Sequence, residues 1–197
     1  AVRGSSANKK VNIGFIGCGK RGEWIADLFQ KHGGYNIVAA ADYFDDRLKI
    51  FGDRFGVNDA ARFTGLNGYK RLVQGKLAAV VIESPPYFHP EQAAAAVDAG
   101  KHVYVAKPVA VDVPGCMTIE QSGKKAAANG LCFLVDFQTR ADPYYIEALK
   151  RVHAGVLGTF AFGESTYHAP VPWTGQIEYA KQAKNNPEAR LRAWGLD

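Results

Sequence analysis

The sequence has little cysteine, and its three cysteines stand far apart, at positions 18, 116 and 132. An odd number at such wide spacing argues against a disulfide framework, and none has the spacing of a metal-ligand set. We read all three as reduced thiols, with Cys116 and Cys132 as packing residues. Long apolar runs are also missing. The longest, such as 77–82, are strand-sized, well short of the roughly 20 residues that cross a bilayer, so no membrane partner is expected. The first ten residues, 1–10, are small, polar and basic and hold no hydrophobic signal core, which reads as a flexible leader. Charge is not gathered anywhere. The net +5 is spread in short pairs such as Lys9 with Lys10, Lys20 with Arg21, Lys124 with Lys125 and Lys150 with Arg151. A nucleic-acid face needs basic side chains concentrated on one element, so no nucleic-acid partner is expected. Solvated helix faces that help to attract an anionic cofactor fit this distribution.

What the sequence does have is alternation. Val11–Ile16 is an apolar run ending in glycines, which reads as a buried strand. Helical spacing follows over 22–31, stopped by Gly33 and Gly34. A second apolar run covers 35–41 and ends at Asp42, and Asp45–Phe55 reads as a helix with an acidic start. A short helix over 68–74, a strand over 78–83, an alanine-rich helix over 91–99 led by Pro90, a strand over 102–105, a helix over 114–129 and a strand over 131–137 complete the series. Such alternation specifies a doubly wound parallel sheet of the Rossmann type with helices on both faces, here over residues 11–140. After Asp142 the pattern changes. Residues 143–154 read as a helix and 159–168 alternate as a half-exposed strand, which we take as the start of an incomplete α+β domain over 141–197, built on an open antiparallel sheet. One strand cannot bury itself. Either the remaining strands lie beyond Asp197 or the tail, 169–197, packs on another chain.

The chemistry begins at Gly17-Cys18-Gly19-Lys20-Arg21-Gly22, a G-x-G-x-x-G between a strand and a helix. Gly17 permits the tight turn, Gly19 leaves room for a pyrophosphate, and Gly22 lets the helix pack closely on the sheet. The amides at the helix start, at Lys20 and Arg21, then face the phosphates with the helix dipole behind them. Cys18, a small residue of this loop, is counted with its neighbours from Gly17 to Gly22 among the expected cofactor contacts. Asp42 follows Gly22 by twenty residues at the end of the second strand, where a carboxylate accepts hydrogen bonds from ribose hydroxyls and repels a 2′-phosphate. The expected cofactor is NAD rather than NADP.

Two more loops belong at the same sheet edge. Ser84-Pro85-Pro86-Tyr87-Phe88-His89-Pro90 follows one strand and Ala106-Lys107-Pro108 the next. With Ala99-Gly100-Lys101-His102-Val103 between them, their order and spacing resemble the Gfo/Idh/MocA family, which includes glucose-fructose oxidoreductase and inositol dehydrogenase. Its members show T-P-x-x-x-H, then A-G-K-H-V, then E-K-P. The resemblance runs from Val11 to about His168 and extends to residues 135–138 and to Leu157-Gly158-Thr159.

The resemblance implies a nicotinamide-dependent dehydrogenase acting on a sugar or polyol, with a second domain through which subunits associate into a homo-oligomer. It puts Lys107 beside the nicotinamide and the substrate hydroxyl, as the group that helps to move the hydroxyl proton. Ser84, Pro85 and Pro108 would touch the cofactor. His89 would contact the nicotinamide or its ribose, and equally suits a histidine that caps the helix before Pro90. Gln138 and Arg140, at the end of the sixth strand, would face the substrate or pack at the domain junction, and His168 and Trp173 would form its wall. Tyr144 and Tyr145 fit packing at that junction. Ala106 departs from the family's glutamate and removes a carboxylate beside Lys107, while Ser84 and Pro86 replace a common threonine and asparagine.

Family members are much longer and carry a further aspartate and histidine that work with the lysine. We therefore expect an amino-terminal portion of a longer protein or a short relative. Two other functions stay open: a non-catalytic NAD-binding module, and an NAD-dependent glycoside hydrolase. Cytoplasm is the default compartment for NAD chemistry, and the non-Met start also fits a periplasmic protein after signal removal. No metal is expected.

Overall fold

The computed structural model describes residues 10–166, 168, 181 and 185–192. They fall into two units that divide after Asp136.

The first unit is a single parallel sheet. β1 (Val11–Ile16) forms because its alternate residues are apolar on both faces: Ile13 and Phe15 point to one side, Ile16 to the other, and all three are buried. It pairs with β2 (Tyr35–Asp42) on one side and with β4 (Ala79–Ile82) on the other. β3 (Arg62–Thr64) extends the sheet beyond β2, and β5 (His102–Ala106) and β6 (Phe133–Asp136) extend it beyond β4. The order is β3-β2-β1-β4-β5-β6, that of the Rossmann fold expected from the alternation.

Helices cover both faces. α1 (Lys20–His32) and α2 (Asp45–Phe55) lie over a core of Ile13, Phe15, Ile25, Leu48, Phe51 and Val81. Phe15 meets Phe51 and Phe29 at centroid distances of 5.3 and 6.0 Å. Offset and edge-on ring pairs of this kind add about 1 kcal/mol each beyond the area they bury. On the other face α3 (Gly68–Val73), α4 (His89–Asp98) and α5 (Val113–Ala128) cover Ile16, Val80, Ile82, Val103 and Val105. The helix ends follow ordinary capping chemistry. Gly33 and Gly56 close α1 and α2 in the left-handed conformation, and the Asp112 carboxylate starts α5 by accepting from the Gly115 amide at 2.7 Å.

Two details differ from the sequence reading in this unit. β3 was not anticipated: it is three residues long and owes its existence to a ladder with β2. The sixth strand is shorter than 131–137, so Gln138 and Arg140 do not end it.

In the second unit Gln138–Ala141 forms a short helix, α6, and the Asp142 carboxylate starts α7 (Pro143–His153) by accepting from the Tyr144 amide at 2.8 Å. Glycine turns at 155 and 158 follow, both with positive φ. The strand expected over 159–168 is not formed among the described residues: Phe160 and Phe162 are 65% and 82% exposed and no ladder takes up the backbone groups. Period-two alternation needs a partner strand to become a sheet, and none of the described residues supplies one. A further short helix covers Pro187–Leu191. Trp173, much of the 169–197 tail and positions 1–9 of the expected leader lie outside the described residues.

Candidate functional site

β1 is the strand at which the winding reverses, so the loops after β1 and β4 leave the sheet in opposite directions and open a crevice at its carboxyl edge. Gly17 makes the turn out of β1 with φ +92°, and a Cβ on it would lie 2.5 Å from the carbonyl carbon of Glu83 and 2.8 Å from its oxygen. Only glycine fits where the two strand ends touch. Gly22 packs against the carbonyl of Gly17 with no room for a Cβ, which seats the first turn of α1 against the loop. The N-cap of α1 is Gly19, whose extended backbone offers no side-chain acceptor. The first-turn amides, including those of Lys20 and Arg21, thus have no side-chain cap at the crevice, the arrangement that receives a phosphate. Lys20 itself is exposed. Loop and helix together fit a dinucleotide diphosphate.

Cys18 plays a different part from the one expected of a cofactor-contacting residue. Its side chain is wholly buried, with Sγ donating to the Ala41 carbonyl at 3.6 Å, and burial pushes the thiol well above its usual range. It works as a small core residue. Its amide, however, donates to Asp42 Oδ2 at 2.6 Å, while Phe44 donates to Oδ1 at 2.8 Å. Asp42 is therefore held in place at the tip of β2 by two amides, with the glycine loop on one side of it. Burial raises its carboxyl, and the two amides and nearby Arg47 act against that rise. Asp42, Gly17, Gly19, Arg21, Glu83 and Ser84 all line the same crevice, as does Pro85.

The loop after β4 is fixed from below. Ser84 Oγ donates to the buried Gln92 at 2.6 Å. His89 is 1% exposed, with Nε2 at 2.6 Å from the Ser84 carbonyl and Nδ1 at 2.9 Å from the Pro108 carbonyl. Burial pulls its imidazole below the usual histidine range. The ring turns inward and staples the two loops together, so His89 is corrected from a group facing the nicotinamide to one that lies beneath the edge. A capping role is not seen either, since no side chain caps α4. Lys107 and Pro108 are exposed at the end of β5, joined by a cis peptide bond. In the second unit, the Arg140 guanidinium lies over the Phe137 ring at 4.7 Å, and Gln138 and His168 are exposed.

One cluster was not anticipated. Glu83 follows β4 with its side chain completely buried. Arg21 Nε lies 2.9 Å from Glu83 Oε2, but its N–H is not aimed along that line, and neither carboxylate oxygen has a directed hydrogen bond. The same guanidinium reaches Asp136 at the end of β6, and Tyr104 on β5 donates to that aspartate. Burial, partly offset by Arg21, pushes the Glu83 carboxyl from 4.5 to about 7. The sequence carried one signal for this: an acid closes each apolar run, Glu83 directly after Ala79–Ile82 and Asp136 as the last residue of Phe133–Asp136. Among the described residues no group of three or more His, Cys, Asp or Glu side chains is placed to hold a metal. None of their helices is long and apolar enough to cross a membrane.

A glycine turn at the switch point, an uncapped helix start and a braced carboxylate at the tip of β2 define a dinucleotide-binding Rossmann domain. Residues 11–137 match the family described as "Oxidoreductase family, NAD-binding Rossmann fold", and the chain belongs to it: the Gfo/Idh/MocA family. Inositol 2-dehydrogenase 3 of Saccharopolyspora erythraea is 30% identical over 95% of this chain and 54% of its own length. A glycosyl hydrolase family 109 protein of Shewanella pealeana is 27% identical over 83% of this chain and 36% of its own. Among solved structures, scyllo-inositol dehydrogenase from Lactobacillus casei with bound NAD(H) and scyllo-inositol superimposes with a TM-score of 0.65 at 29% identity, over 76% of this chain and 43% of that one. The chain thus spans about half the length, or less, of these relatives.

Proposed function

We propose that this chain carries the cofactor half of an NAD-dependent dehydrogenase that oxidises a secondary hydroxyl of a polyol or sugar. The observation that carries this reading is Asp42, held by the Cys18 and Phe44 amides at the crevice that the glycine loop opens. With both oxygens fixed, it has remaining lone pairs for ribose hydroxyls and no tolerance for a 2′-phosphate, which favours NAD over NADP. The amides of α1 hold the diphosphate. Bound NAD⁺ would supply the hydride acceptor. Lys107 donates a hydrogen bond to the reacting hydroxyl and takes part in moving its proton, while His89 keeps the Lys107 loop and the Ser84 loop at a fixed separation. Residues 141–197 are read as the start of the substrate domain, with Gln138, Arg140 and His168 toward the substrate. The inositol dehydrogenases among its relatives support a cyclic polyol as substrate.

The test is calorimetric titration with NAD⁺ and NADP⁺, wild type against Asp42→Ala, followed by NADH appearance with myo- and scyllo-inositol. Preferential NAD⁺ binding that Asp42→Ala abolishes, with turnover that Lys107→Met removes, supports the reading. An equal preference for both nucleotides in the wild type overturns the role of Asp42. A second reading follows from the family 109 relatives: glycoside cleavage through transient oxidation. It is distinguished by release of an aglycone without net NADH.

A further inference from the structure

The glycine loop rests on a buried acid that the dehydrogenase reading does not use. Glu83 lies against Gly17, lines the crevice, and has no directed hydrogen bond on either oxygen. Its ion-pair partner among the described residues, Arg21, is shared with Asp136. When both carboxyls are ionised, the cluster holds two negative charges and one positive, and so keeps a net negative charge directly under the seat of an anionic ligand. Charge of one sign at short range in a poorly solvated place favours neutralisation by a proton.

We propose that Glu83 takes up a proton from solvent when a dinucleotide diphosphate settles on the glycine loop, so that the Arg21–Glu83–Asp136 cluster makes this site bind its cofactor more tightly in acid than in base. The proposal rests on the dinucleotide reading of the loop. Protonation removes the repulsion between Glu83 and the diphosphate and leaves Arg21 paired with Asp136 alone. The proton returns to solvent when the nucleotide leaves. The groups that face Glu83 are Arg21 from α1, Asp136 from β6 and Tyr104 from β5. The His89 ring on α4 lies behind the Ser84 carbonyl. Of these, burial and the Asp136 carboxylate push the Tyr104 hydroxyl far above neutrality, so it keeps its proton there. The His89 imidazole is pulled down by burial, away from the pH at which Glu83 changes charge. Glu83 itself sits at about 7, so it is poised to respond there.

By linkage, the pH at which Glu83 loses its proton moves up by as much as the bound anion favours the neutral form. An upward move of about one unit, the size a neighbouring charge produces, makes Kd rise about sevenfold between pH 6 and pH 8.5 and draws in about half a proton per nucleotide at pH 7.5.

The experiment is NAD⁺ calorimetry at pH 7.5 in two buffers of different ionisation enthalpy, with Kd followed from pH 6 to pH 8.5, on wild type and Glu83→Gln. A ¹³C titration of the Glu83 carboxyl in the wild type, with and without NAD⁺, keeps the test independent of the variant's folding. The expected result is buffer-dependent enthalpy and a falling affinity in base for the wild type. Glu83→Gln should lose both and bind at pH 8.5 as the wild type does at pH 6. Nucleotide binding with no proton exchange, an unmoved ¹³C titration, or the same exchange in Glu83→Gln overturns the proposal while leaving the dinucleotide reading intact. No nucleotide binding by a folded wild type overturns that reading and the proposal with it.

Discussion

Replacing Glu83 with glutamine should stabilise the protein, and by an amount that depends on pH. An unfolded glutamate releases its proton near 4.5, whereas this buried one holds it to about 7. Between those values the native state binds a proton that the unfolded chain has lost, so native stability falls as pH rises through the window. The contribution of Glu83 is fully present below the lower value and gone above the upper one. A difference of that width corresponds to about 3 kcal/mol. Glutamine does not titrate, keeps the shape, and leaves Arg21 its pairing with Asp136, so no guanidinium is stranded. Urea unfolding of both proteins, followed by circular dichroism from pH 4 to pH 8.5, measures the difference directly. Wild type and variant should run close together at the acid end and separate toward neutrality, with the variant about 2–3 kcal/mol ahead at pH 8. Parallel curves at every pH would refute the argument, because they would mean that Glu83 titrates alike in both states. A variant that is less stable at pH 8 would refute it more strongly, by showing that the ion pair with Arg21 outweighs burial of the charge.

Gly17→Ala should cost about 3 kcal/mol and prevent nucleotide binding, since the added methyl meets the Glu83 carbonyl and the backbone is left-handed there; thermal unfolding and calorimetry check both effects. Asp42→Ala should cost about 2 kcal/mol even without nucleotide, because the Cys18 and Phe44 amides lose their acceptor, and urea unfolding at neutral pH reads this. His89→Ala should lower stability by about 2–3 kcal/mol and speed exchange of the amides around Ser84 and Pro108, which hydrogen exchange resolves residue by residue. In the wild type, the lowered imidazole means that the stability His89 contributes is present above 6.5 and lost as pH falls below it. His89→Ala should therefore show a weaker dependence on acid than the wild type.

How far the site was legible depended on whether each interaction is local in sequence. The β1 loop and α1 could be read because an apolar run and glycine spacing are properties of a dozen adjacent residues. The same holds for Asp42 at the close of the next run. The direction of the His89 ring could not be read: a motif position puts the residue near an edge, but whether its nitrogens turn outward or toward the Ser84 and Pro108 carbonyls is decided by packing. The Arg21, Glu83 and Asp136 cluster joins three distant points of the chain and exists only once β1, β4, β5 and β6 lie side by side. β3 failed for a related reason, since Arg62–Thr64 has no pattern of its own and is a strand because β2 is next to it. The opposite error occurred at 159–168, where a pattern was present without a described partner.

β6 stands at the margin of the sheet, four residues whose strand partner among the described residues is β5, with Leu134 largely uncovered. It nevertheless supplies Asp136, the second anchor of the arginine in the glycine loop. Edge strands open at less cost than the sheet around them. The cofactor crevice therefore has a seam: parting β6 from β5 leaves the central strands, the turn and Asp42 standing while Arg21 is left to Glu83. The geometry of the loop is tied to an edge strand of the domain, so the site can loosen before the fold does.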